Sequence, residues 1–158
     1  MKLAQDIGEV NFRNTTNVII SEILFNQLFK STALAYPREA CALLFGNKTN
    51  ENVYIKEIFP AKNRKKSIYR FAIRQDELDS ALRMSDHKIL GVFHSHLNGT
   101  IPSALDKKNM AKKEALWLIG YWNHSSKLEK FRISAYVMIN NVIHKLRMKR
   151  RLASGINA

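Results

Sequence analysis

Apolar and polar positions fall in short blocks along the chain, and these blocks switch between the period of a helix and that of a strand. Residues 17–20 (Asn-Val-Ile-Ile) form a short β-rich run. Ser21 follows as a suitable helix cap, and Ile23, Leu24, Phe25, Leu28, Phe29 and Leu34 recur near helical spacing, which predicts a helix over 22–35. Tyr36-Pro37 ends it, because the residue before a proline is pushed out of helical backbone. Residues 40–45 predict a buried strand closed by Gly46-Asn47, and 53–59 a second strand after a polar turn. A basic loop over 60–68 leads to a strand-like run at 69–73 and then to an amphipathic helix over 75–85, carried by Leu78, Ala81 and Leu82. Residues 89–94 are a β-rich run ending in histidine, and 97–102 a loop. Ser103 opens a further helix to about residue 113. Two apolar strands, 115–122 and 133–139, flank a polar turn, and 142–148 reads as a last strand or a short helix.

Helices and strands interleave without strict βαβ repetition, so the expected fold class is α/β with a mixed sheet. The expected organisation is one domain over 17–148, between a loose N-terminal segment (1–16) and a basic C-terminal tail (149–158). A chain of 158 residues with 46% apolar residues suffices for one such core.

Composition narrows the setting. The single cysteine, Cys41, cannot form an intramolecular disulfide and gives no reason to expect secretion. The first twelve residues, MKLAQDIGEVNF, lack the apolar core of a signal peptide. No run approaches the roughly 20 apolar residues of a membrane-spanning helix. The expectation is a soluble cytoplasmic protein without membrane attachment. The charge balance is unusual: 26 Lys and Arg stand against 13 Asp and Glu, a net of +13. Residues 144–151 (HKLRMKRR) hold five of the basic residues and no acid, so most of the excess lies elsewhere. Such a surface attracts acidic proteins, and it can hold nucleic acid without reading sequence.

The chemistry concentrates in His94-Ser95-His96 and in Pro102-Ser103-Ala104-Leu105-Asp106. Residues i and i+2 of a strand point to the same side, so both imidazoles can reach one metal ion. Asp106, at the start of a helix after a short loop, can return a carboxylate to the same point. Two imidazoles and a carboxylate suit zinc and leave a fourth position for water, whose pKa an open zinc site lowers towards about 7. Ser103-x-x-Asp106 is equally a capping-box pattern, and the two readings are compatible. His87, His124 and His144 have no ligand-like company and read as surface or strand histidines. Cys41 reads as a small buried residue, and Trp117, Tyr121 and Trp122 as packing aromatics.

The segment Gly91-Val92-Phe93-His94-Ser95-His96 with Pro102-Ser103-Ala104-Leu105-Asp106 resembles the signature of the JAMM (MPN+, Mov34) zinc metalloproteases. Upstream, Tyr36-Pro37-Arg38-Glu39-Ala40-Cys41-Ala42-Leu43-Leu44-Phe45-Gly46 is similar to the family segment that carries its glutamate. The resemblance covers about residues 17–148 and is strongest to the compact prokaryotic members. It implies a curved mixed β-sheet flanked by helices, with cytidine-deaminase-like layering. It implies zinc held by His94, His96 and Asp106, with Glu39 as general base and Ser103 stabilising the tetrahedral oxyanion. It further implies cleavage of isopeptide or peptide bonds at the C-terminus of a ubiquitin-like or sulfur-carrier protein, an acidic one given the basic surface. Two features depart from the pattern. The loop from Leu97 to Pro102 is one residue shorter than usual, and Leu97 stands where the family has proline; Gly99 can absorb the tighter path. Two other classes compete. One is a non-catalytic MPN-like scaffold, against which the complete ligand set argues. The other is a RadC-like nucleic-acid-associated protein, whose relatives carry asparagine where this chain has Ser95.

Overall fold

The computed structural model describes residues 10–61, 75–125 and 130–152. In chain order its elements are β1 (Asn17–Ser21), α1 (Glu22–Ala35), β2 (Cys41–Thr49), β3 (Asn52–Ala61), α2 (Gln75–Met84), β4 (Lys88–His96), α3 (Ala104–Met110), β5 (Leu116–Asn123), β6 (Lys130–Ile139) and β7 (Val142–Arg151). These agree closely with the expected blocks. The strand expected at 69–73 and most of the basic loop at 60–68 lie outside the described residues. Among the described residues, no helix is long and apolar enough to cross a membrane.

The sheet corrects the expected architecture in one respect. It is mixed and carries helices, but it is closed into a barrel rather than only curved, in the order β1-β3-β2-β4-β5-β6-β7 and back to β1. Closure depends on the last segment being a strand and not a helix. β7 pairs antiparallel with β6 and parallel with β1, from Asn17↔Arg147 to Ser21↔Arg151. β1 also pairs parallel with β3, so it fills the gap between two otherwise open edges. The strand accordingly runs to Arg151, three residues beyond the expected domain end at 148. The HKLRMKRR run is thus strand throughout, and only 149–151 leave the expected tail. Its period is two: Leu146 and Met148 turn to the apolar core, and Lys145, Arg147, Lys149 and Arg151 alternate with them on the other face.

Strand alternation splits the apolar residues into two clusters on the two faces of the sheet. Leu44, Phe93 and Leu118 pack with Val18, Ile20 and the α1 residues Phe25 and Leu28. Leu43, Phe45, Val92, Trp117 and Ile119 pack on the other face with Leu78 and Ala81 of α2 and Met110 of α3. Helix α1 buries Phe25, Leu28 and Thr32, an i, i+3, i+7 stripe, while Ile23 and Leu34 are exposed. Its start is set by Ser21, whose Oγ accepts the Leu24 N–H at 3.2 Å. Thr32 tolerates burial because its hydroxyl donates to Leu28 O at 2.8 Å. Arg150 of β7 reaches back to α1, donating from Nε and NH2 to the two oxygens of Glu22 at 2.8 and 3.0 Å, with its guanidinium 4.0 Å from the Phe25 ring centre.

Two further expectations shift. Residues 10–16, expected to be loose, are docked: Phe12 is fully buried, and the N–H groups of Thr16 and Asn17 both donate to Glu51 O. Helix α3 ends at Met110 rather than near residue 113. Met110 is its last core contact, and the chain must then turn to enter β5.

The strand reading of the basic run has a direct consequence. Leu146→Ala is expected to cost about 2–5 kcal/mol, as for a core leucine, measured as a fall in the urea midpoint. A solvated tail would lose less than about 0.5 kcal/mol at this position.

Candidate metal centre

Strand β4 is buried along its whole length except for Lys88, held between β2 (Cys41↔His94) and β5 (His94↔Ile119, His96↔Tyr121). Its close approach to β5 requires Gly91, where an added Cβ would lie 1.8 Å from Leu116 O. The alternation that places Val92 on the α2–α3 face also places His94 and His96 there, and Ser95 opposite. Ser95 is then spent on structure: its Oγ accepts the Ala40 N–H at 2.8 Å, and its N–H donates to Ala40 O at 3.0 Å. This pair of bonds ties the end of β4 to the residue next to Glu39.

Asp106 arrives from the first turn of α3. Ser103 is the N-cap, its Oγ accepting the Asp106 N–H at 3.1 Å, while Asp106 Oδ2 accepts the Ser103 N–H at 2.8 Å. The capping box anticipated from the sequence is thus formed, and it aims the carboxylate at the histidines. His94 Nε2 lies 2.9 Å from His96 Nε2 and 3.2 Å from Asp106 Oδ1, and His96 Nε2 lies 3.0 Å from Asp106 Oδ2. His94 and Asp106 are fully buried and His96 nearly so.

The electrostatics favour a cation at this point. Burial lowers the pKa of His94, against the raising influence of Asp106, so its imidazole is neutral at pH 7. Burial alone would raise the pKa of Asp106, but hydrogen bonds from His94, His96 and the Ser103 N–H hold it well below the usual carboxylate range. A buried carboxylate therefore faces the His94 imidazole, whose lone pair is available to a Lewis acid. Tetrahedral zinc with bonds of about 2.0–2.1 Å sets its ligand atoms roughly 3.3–3.4 Å apart, close to the separations observed. The donor set and its spacing fit zinc, and the chemistry of two nitrogens and one oxygen also admits other divalent transition metals.

Glu39 sits half-buried just before β2. Burial raises its pKa, the charge of His96 lowers it and that of Asp106 raises it, so its carboxylate lies within electrostatic reach of the cluster. It borders a groove of about 960 Å³ that runs from Tyr36 and Pro37 to Pro60 and Ala61. The shortened loop after His96 turns at Gly99, with φ of 141°, the conformation for which a glycine was expected there. Its path is fixed by Thr100, whose hydroxyl accepts from Ser134 Oγ at 2.9 Å and whose carbonyl accepts from Tyr136 Oη at 2.8 Å.

All five candidate residues thus fall in one region. The remaining histidines lie elsewhere: His87 near Glu57, His124 against Tyr36 Oη, and His144 exposed on β7. Trp117 is buried and Trp122 packs edge-on against Phe29 and Tyr36, as packing aromatics should. Sequence reasoning missed Ser95, Thr100, Ser134 and Tyr136 as supports of the site. Only the position of Ser95 between the histidines carried any signal.

A mixed α/β barrel that brings two strand histidines and a helix-capping aspartate to one buried point defines a domain equipped to bind a metal ion. The model of the family described as prokaryotic homologs of the JAB domain matches residues 21–134, and the chain belongs to that family, a branch of the JAMM/MPN proteins. The solution structure of a protein from Desulfitobacterium hafniense is similar with a TM-score of 0.71 and 21% identity, over 85% of this chain and 93% of that one. A protein from Salinibacter ruber gives a TM-score of 0.63 and 21% identity, over 84% and 90%. At that identity both likenesses speak to fold alone. No curated protein matches the chain.

Beside the centre, the Cys41 thiol is pushed up to about 11 by burial, with Glu77 and Glu39 adding to the shift. At pH 8 its thiolate fraction should be roughly 100-fold below that of an unfolded-chain thiol, so iodoacetamide should label it slowly in buffer and fast in urea. The raised folded value also means that this group's contribution to stability is complete below about pH 9 and declines as pH rises to about 11. Over that interval the wild type should lose up to about 1.4 kcal/mol per pH unit more than Cys41→Ala, compared by urea titration.

Proposed function

We propose that the protein is a zinc-dependent metallopeptidase that hydrolyses an isopeptide or peptide bond, with the C-terminal tail of a small ubiquitin-like or sulfur-carrier protein as its substrate class. The observation that supports this most strongly is the convergence of His94 Nε2, His96 Nε2 and the Asp106 carboxylate within 2.9–3.2 Å in a buried pocket of a JAB-family domain. The substrate class rests on the family resemblance, and an acidic partner suits the net charge of +13.

A zinc ion held by His94, His96 and Asp106 would polarise the scissile carbonyl and lower the pKa of the attacking water. Glu39 then takes the proton of that water and passes it to the leaving nitrogen, a transfer worth about 10²–10⁴ in rate. Its half-buried position suits a group that must both accept and release a proton near neutrality. The Ser95–Ala40 bonds fix the backbone next to Glu39 relative to the ligands. The Ser103 hydroxyl, whose oxygen accepts from the Asp106 N–H, would direct its proton to the developing oxyanion. The groove beside Glu39 offers a path for an extended peptide segment.

Metal analysis of the purified chain tests this reading. We expect about one zinc per wild-type chain, lost in His96→Ala. It should also be lost or much weakened in Asp106→Asn, which keeps an oxygen to accept the Ser103 N–H and so keeps the cap. With zinc at about 100 times its dissociation constant, the wild type should gain about 2.7 kcal/mol of stability that His96→Ala does not gain. Glu39→Gln should retain zinc and lose about 10²–10⁴ in the hydrolysis of a ubiquitin-like protein fused through its C-terminus to a reporter. Wild type that stays metal-free after reconstitution would reject the metallopeptidase and leave a non-catalytic binding domain.

A further inference from the structure

Part of the basic excess is organised on one wall of the barrel. In β7 the period of two sets Lys145, Arg147, Lys149 and Arg151 on the face away from the apolar core, all exposed, with alternate residues about 6.8 Å apart. Neither β7 nor its neighbour β1 contains an acidic residue. No carboxylate among the described residues lies within ion-pairing distance of any of the four; the one β7 cation so paired is Arg150, with Glu22. The sheet continues through β1 to β3, where the register Ile19↔Lys149 and Ile19↔Tyr54 brings a half-exposed tyrosine into the same row. Cations flank its ring, Arg151 at 5.6 Å and Lys56 at 5.2 Å from the centroid.

This wall is remote from the metal centre. In the barrel order, β4 is three strands from β7 in one direction and three from β1 in the other. A ligand on the β7–β1 wall therefore leaves His94, His96 and Asp106 uncovered. The wall also lies outside the part of the chain matched by the family, for β1 nearly and for β7 entirely.

We propose that the outer face of β7, β1 and β3 binds single-stranded nucleic acid, with phosphates on Lys145, Arg147, Lys149 and Arg151 and a base stacked on Tyr54. A row of cations with no carboxylate partner among the described residues, set along an extended strand, tracks a phosphodiester backbone, and arginine forks suit phosphate oxygens. The aromatic ring set among the cations favours a nucleic acid over an acidic protein, since every base offers a face to stack on whereas carboxylates do not. The surface is a sheet wall with no described helix on it to enter a groove, which favours a single strand over a duplex. The inference holds whether or not the metal centre is catalytic.

The test is fluorescence anisotropy of the full chain with a labelled oligothymidylate and an oligouridylate of about 12 nucleotides, over about 50–200 mM salt. With four phosphates contacted, log K against log salt should slope at about −3, and affinity should fall roughly 50-fold across that range. The triple variant Lys145→Gln/Arg147→Gln/Lys149→Gln should bind at least about tenfold more weakly at low salt, with a slope flatter by about 2. Tyr54→Ala should lose at least about fivefold with the slope unchanged, and Tyr54→Phe should restore binding. Lys107→Gln/Lys108→Gln/Lys112→Gln removes the same charge from exposed positions on and just after α3, and should change affinity less than about twofold. Equal losses from the two triple variants, no effect of Tyr54→Ala, tighter binding of a duplex, or displacement by polyglutamate as readily as by unlabelled oligonucleotide would each overturn the proposal. Should the β7 triple variant fail to fold, the Tyr54 pair and the polyglutamate competition decide the matter.

Discussion

The structure depends on the parallel pairing of β1 with β7. Without β1 the sheet would have two open edges, one on β3 and one on β7, each offering unpaired backbone groups. β1 contributes only five residues, yet it satisfies both edges at once. The pairing also sets the position of α1, because the helix begins at Ser21, the last residue of β1, and is held to the end of β7 by the Glu22–Arg150 bonds. With α1 placed, Phe25 and Leu28 cover one face of the sheet, and α2 and α3 are left to cover the other.

That division of faces decides where chemistry can occur. The histidines of β4 project towards the face covered by α3, and α3 is the element that supplies Asp106. One capping box then serves two ends. It closes the N-terminus of a short helix, and it orients a carboxylate that burial alone would neutralise. A cluster of lone pairs and negative charge in a water-poor pocket is costly without a counter-charge, and a divalent cation is the group whose size and charge the donors suit. The supports of this centre lie one layer out: Ser95 on the backbone of Ala40, and Ser134 and Tyr136 on the loop at Thr100.

The same barrel separates two kinds of surface. On the β4 side, a neutral or negative pocket is lined by buried groups. Three strands away in either direction, the wall is cationic and exposed, with a tyrosine among its charges. Strand alternation produces both, since each requires a run in which every second residue points the same way.

Much of this was legible in the sequence. The 3.6-residue spacing around Phe25 and Leu28 and the cap at Ser21 placed α1, and the apolar runs placed β2, β4, β5 and β6, because these signals are local. His94, His96, Ser103 and Asp106 were also local: two residues on one strand face, and a cap three residues from its partner. Glu39 carried no such signal by itself and was legible only through the family resemblance, since a glutamate after a proline is unremarkable until the fold brings it to the cluster. The tertiary structure alone decided that the sheet closes, that 10–16 is docked, and that the last segment is a strand rather than a short helix and runs on to Arg151. Each of these depends on pairing between residues more than thirty positions apart, such as Asn17 with Arg147 and Asn17 with Glu51. A sequence read along its length reports which face of an element is apolar; which partner covers that face is a property of the assembled chain.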